Sequence, residues 1–125
     1  MKAVSVELNK KFSKDDFEFI VGITEVEKDT PVLYKIGNRA LEFDCRSQIR
    51  KDEINKIYYA NFDKRNNLRC DGISVKVITV CEDVEVDYII EEYKKKLLRF
   101  AKDEILNRMQ LLNKVKDKLD EINIQ

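Results

Sequence analysis

From Asp83 to Ile124 the chain has neither glycine nor proline, and apolar side chains recur at steps of three and four residues: Val86, Ile90, Tyr93, Leu97, Ala101, Ile105, Met109, Leu112, Val115, Leu119 and Ile122. That spacing puts them on one face of a single long α-helix over 83–124. At about 1.5 Å per residue such a helix is on the order of 60 Å long. A domain folded from the rest of the chain is roughly 25–30 Å across, about half that length. The stripe is wide between Tyr88 and Ala101, where Ile89, Leu98 and Phe100 broaden it, and it narrows after Ile105 to a seam spaced near 3.5 residues. A wide stripe suits packing on a sheet and a narrow one suits another helix. The first half of the helix is therefore expected to cover a sheet of its own chain. The second half, through Ile105, Met109, Leu112, Val115 and Leu119, is expected to form an oligomer interface, giving a homodimer or an assembly of dimers. The alternative is a helix that bends back along its own domain.

Ahead of the helix the period is two. Val4, Val6 and Leu8 alternate with Ser5 and Glu7, predicting a half-buried strand over 3–8. Phe17, Phe19, Val21 and Ile23 predict a second strand, although Ser13 followed by Asp15 and Asp16 would equally cap a short helix. After Ile23 the apolar position slips by one residue to Val26, as it does at a β-bulge, and 27–31 reads as a turn closed by Pro31. Val32, Tyr34 and Ile36 face Leu41 and Phe43 across Gly37-Asn38, the signature of a type II′ hairpin. Ile49, Ile54, Ile57 and Tyr58 suggest a short helix near 47–57, passing into a strand where Tyr58, Ala60 and Phe62 alternate. A turn at 63–67 precedes the longest strand, 68–81, with a bend at Asp71-Gly72. Its distal half is apolar on both parities and is expected to be covered on both faces. The sum is one α+β domain over 1–125: an antiparallel sheet of five or six strands in 1–81, then one long C-terminal helix.

Composition changes this picture mainly by exclusion. Charged residues are 38% of the 125, but 24 basic and 24 acidic side chains cancel, so no net field draws in nucleic acid or membrane. The first apolar residues alternate with polar ones, unlike a signal peptide, and no apolar run reaches the length of a membrane span. A cytoplasmic location is expected. Cys45, Cys70 and Cys81 form an odd set without a C-x-x-C pair, which suits reduced thiols. Histidine is absent, which removes the commonest general base and metal ligand, and three glycines supply no phosphate-binding motif. A non-catalytic protein without metal or cofactor is the expectation.

One stretch is locally charged. Between Arg46 and Arg69 seven basic residues face three acids, with Tyr58, Tyr59 and Phe62 among them. Guanidinium forks match phosphate and aromatic rings stack on bases, so Arg46, Arg50, Lys51, Tyr58, Tyr59, Arg65 and Arg69 are candidate ligand-binding residues. The competing reading is a solvated face with its aromatics in the core. Function then divides in two. One course is an oligomeric binder that sequesters a phosphate-bearing ligand such as a nucleotide signal. The other is a protein-interaction module, an inhibitor or assembly adaptor, acting through the long helix and the acidic stretch 15–29. In its Lys/Asn/Ile-rich make-up, its β-then-long-helix order and its lack of catalytic motifs, the chain resembles small accessory proteins of phages of low-GC bacteria. These include anti-defence proteins that inhibit an effector or sequester a nucleotide signal. The resemblance implies the same two functions and assigns no residue.

Overall fold

A computed structural model describes residues 1–10, 16–37, 40–59 and 74–124. Six strands, β1 (Lys2–Lys10), β2 (Phe17–Asp29), β3 (Leu33–Ile36), β4 (Gln48–Arg50), β5 (Tyr58–Tyr59) and β6 (Val75–Cys81), precede one helix, α1 (Val86–Asp120). The strands form a single antiparallel sheet in the order β4-β3-β2-β1-β6-β5, the α+β layout that the periodicities predict.

β1 lies near the middle of the sheet. It pairs with β2 from Lys2↔Glu25 to Lys10↔Phe17 and with β6 from Lys2↔Cys81 to Leu8↔Val75. Val4, Val6 and Leu8 pack with Val75, Val77 and the α1 residues Tyr93, Leu97 and Ala101. Ala3 packs on the other face, with Ile36, Phe43, Ile49 and Ile78. Ser5 and Glu7 are buried there too, so β1 is covered on both sides and not half-buried as its alternation suggests. The second layer comes from residues 41–50, which fold over the parity that the pattern assigns to water.

β2 runs on through Asp29, beyond the turn expected at 27–31, and its register shifts between Val26 and Lys28, where the pattern slips. The turn itself is held by Thr30, whose hydroxyl donates to the Leu33 carbonyl at 2.9 Å and accepts from the Leu33 amide at 3.1 Å. β3 does not form the expected hairpin with 41–43. It pairs with β4, Tyr34 opposite Ile49, while Leu41–Phe43 makes one turn of 3-10 helix. The cause is the reversal that follows: Asp44 and Cys45 both have φ of 57°, and these left-handed residues redirect the chain so that Phe43 drops onto the sheet and 48–50 return beside β3. Gly22 permits this approach, because a Cβ there would lie 2.3 Å from Glu42 Cβ and 3.2 Å from the Phe43 ring. Asn38 of the expected loop lies outside the described residues.

The short helix expected near 47–57 is likewise absent: 48–50 is a strand with only Ile49 buried, and turns follow to Asn55, where φ is 65°. Residues 60–73, including the expected turn at 63–67 and the start of the last strand, lie outside the described residues. In β6, Val75 to Thr79 are all buried, so the two-sided cover holds. α1 follows a 3-10 turn at Asp83–Glu85 and has Glu85 at its N-cap without a side-chain bond. Its first-half ion pairs are Glu91–Lys94 at 3.4 Å and Glu92–Lys95 at 3.6 Å, one residue closer in sequence than the i,i+4 pairs that the spacing offers. Among the described residues no helix is long and apolar enough to cross a membrane.

Candidate functional site

Two features stand out, a charged recess on the sheet face away from α1 and an uncovered apolar surface on the face that carries it. The recess has a volume of about 680 Å³ and is lined by Asp44, Arg46, Ile49, Arg50, Asp52, Glu53, Lys56, Tyr58 and Ile78. In contact with the lining residue Asp44 is Lys76, 2% exposed. Strand alternation turns Lys76 away from the helix that Val75 and Val77 face, and cross-strand register sets it opposite Glu7. Its Nζ donates to Asp44 Oδ1 at 3.0 Å and to the Leu41 carbonyl at 3.5 Å, and lies 3.9 Å from Glu7 Oε1. The left-handed turn that redirects the chain thus also brings Asp44 over a buried ammonium.

The neighbouring groups respond to the same charges. Burial raises the Glu7 pKa above the ordinary glutamate value, and the attraction of Lys76 offsets only part of that. The Tyr58 hydroxyl donates to Asp44 Oδ2 at 2.9 Å, and burial together with that carboxylate pushes the phenol well above its usual range. Burial works against the Arg46 charge, but its hydrogen bond and ion pair with Glu53 outweigh this and hold the guanidinium pKa above its ordinary value. Arg46 Nη2 is also 3.6 Å from Asp44 Oδ2, while its buried Nε meets no acceptor among the described residues.

Of the predicted ligand residues, Arg46, Arg50 and Tyr58 come together at the recess. Lys51 instead pairs with Asp29 and sits 4.8 Å over the Tyr34 ring. Tyr59 lies on the helix side: its hydroxyl donates to Glu104 at 2.9 Å and its ring packs edge-on against Phe100. Arg65 and Arg69 lie outside the described residues. Among the described residues the lining of the recess is balanced in charge, with Arg46, Arg50 and Lys56 beside Asp44, Asp52 and Glu53. Arg50 is held by Asp52 at 2.9 Å. Sequence reasoning missed Glu7, Asp44 and Lys76. Its one available signal was Lys76, which shares the parity of Ile78 in a strand expected to be covered on both faces.

On the other face, α1 buries Leu97 and Ala101 and then runs out of sheet. Ile105, Met109, Leu112, Val115 and Leu119 are all exposed, Leu112 at 65% and Leu119 at 62% against 0% for Leu97. Beside the helix, Phe17, Phe19 and Ile23 of β2 are exposed as well. Cys45 and Cys81 are free thiols, and burial with the nearby Glu85 and Asp83 charges raises the Cys81 pKa, away from a reactive thiolate. Among the described residues no three acidic or thiol groups are arranged to hold a metal ion. Comparison with protein-family models, curated proteins and solved structures returns no match.

Proposed function

We propose that this chain is a non-catalytic, self-associating interaction protein, in which the sheet and the first half of α1 form a scaffold and the projecting second half of α1 makes the contact. The observation that carries this reading is the exposure of the helical line from Ile105 to Leu119. Its residues continue, at steps of three and four, the stripe that Leu97 and Ala101 bury on the sheet. An uncovered apolar stripe of that size on a small protein is characteristic of an interface. An inhibitor or assembly adaptor of the phage accessory type would act through such a surface. The test is the double substitution Leu112→Glu with Leu119→Glu. A lower assembly mass at unchanged helicity supports the reading, and an unchanged mass removes the seam from it.

The recess favours a second reading, sequestration of a phosphate-bearing ligand, because Arg46, Arg50 and Lys56 surround its mouth with Tyr58 beside them. Such a ligand would have to compete with Glu53 and Asp52 for the two guanidinium groups, so this reading ranks second. A thermal-shift panel of nucleotides and cyclic nucleotides tests it. Ligand at a hundred times its Kd stabilises by about 2.7 kcal/mol, a readily measured rise in Tm. Flat curves across the panel would remove this reading.

A further inference from the structure

We propose that the β2 face beside α1 is the seat for the projecting half of α1 from a second copy of this chain. This deepens the self-association reading above and rests on it. Register fixes the floor of the seat: Phe19 pairs with Leu8, Val21 with Val6 and Ile23 with Val4, so these β2 side chains share the face that α1 covers. α1 nevertheless packs over β1 and β6, and Phe17, Phe19 and Ile23 remain 41%, 37% and 50% exposed. The wall is the flank of α1. Lys94 lies with its ammonium 5.6 Å over the Phe19 ring, and one turn further along that flank Leu98 is 42% exposed. The result is an L-shaped apolar step that, among the described residues, is only partly covered, by Lys94 over Phe19.

Size and symmetry select a second copy as its occupant. From Ile105 to Leu119 the helical stripe spans about 21 Å, and from Phe17 to Ile23 the strand spans about 20 Å. At roughly 50 Å² of uncovered side chain each, the stripe and the step together offer on the order of 500 Å² of apolar surface per chain. That is more than half of the ~800 Å² that one partner contributes to a standard interface, before any polar rim is counted. The helix enters the sheet at the Cys81 end of β6 and meets Tyr59, the partner of Val75, at the other end. It therefore projects past the same end at which Phe17 begins β2. A two-fold axis between two projecting halves carries each onto the other chain's step, so both apolar surfaces of both chains are covered at once. That reciprocity is what an isologous contact requires.

Cross-linking tests the seat directly. In a background with Cys45, Cys70 and Cys81 replaced by Ser, Phe19→Cys and Leu112→Cys chains are mixed and oxidised. A disulfide-linked pair of the two different variants is expected, in excess of either variant linked to itself. In parallel, Phe19→Glu with Ile23→Glu is expected to weaken association by at least about tenfold, as loss of a central interface side chain does. Circular dichroism checks that the fold is kept. Leu112→Cys chains linked mainly to themselves, with wild-type association in the Phe19→Glu/Ile23→Glu protein, would overturn the seat and leave a helix-on-helix dimer. A monomeric unmodified protein would overturn the self-association reading itself.

Discussion

At the scale of single residues, the buried Lys76 is the position on which the second face depends. Removing one partner from a buried charge group costs about 3–5 kcal/mol, because the remaining charges stay desolvated and unpaired. Lys76→Met leaves Glu7 without its counter-charge, while the part-exposed Asp44 keeps Tyr58 and Arg46, so it should lower the unfolding free energy in urea titration by less than that, about 1–3 kcal/mol. A change under about 1 kcal/mol would show that the ammonium contributes little. Glu7 makes a separate prediction through pH. Its pKa is raised in the folded protein, so the protonated form is favoured there; the stability this contributes is complete below about pH 4.5, the ordinary value, and is lost as pH rises through the raised one. Glu7→Gln should consequently gain in Tm relative to wild type between pH 4.5 and neutrality. A relative loss over that range would mean that the carboxylate is a net stabiliser through Lys76. None of this cluster was legible as a site, since alternation alone labels Glu7 as solvent-facing. Its burial depends on a layer folded from residues forty positions away.

At the scale of elements, legibility follows how each element is determined. α1, β1 and the bulge in β2 are set by local periodicity and could be read from it. The 41–50 segment is set by backbone conformation at Asp44 and Cys45 and by the space above Gly22, none of which leaves a hydropathy pattern; a hairpin with the right alternation was the natural but incorrect reading. Gly22 therefore makes a sharp prediction. Gly22→Val forces a branched side chain against Glu42 and Phe43, and overpacking of this kind costs about 1–3 kcal/mol, measurable as a lower midpoint in denaturant. Unchanged stability would show that the 3-10 turn shifts freely. α1 behaves as two elements in one. Leu97→Ala, at a fully buried position, should cost about 2–5 kcal/mol at any protein concentration. Leu119→Ala should lower Tm only where chains associate, and fall within about 0.5 kcal/mol of wild type at high dilution. Equal, concentration-independent effects at both positions would contradict the division.

At the scale of the whole molecule, the layout puts a covered sheet at one end of α1 and an uncovered helix at the other. The length of the helix against the width of a small domain already indicated this imbalance, and the narrowing of the stripe after Ile105 indicated where it begins. The second uncovered surface, on β2, was not legible, because the alternation of Phe17, Phe19, Val21 and Ile23 reads as an ordinary core-facing strand. Among the described residues, the placement of α1 over β1 and β6 leaves it half-exposed. The step on β2 and the stripe on α1 lie on the same side of the sheet. Self-association is thus the central claim, and the mass of the unmodified protein in solution tests it most directly. Light scattering at micromolar concentration should give twice the chain mass, or an even multiple of it, falling toward the single-chain value on dilution; a single-chain mass at every concentration would contradict self-association.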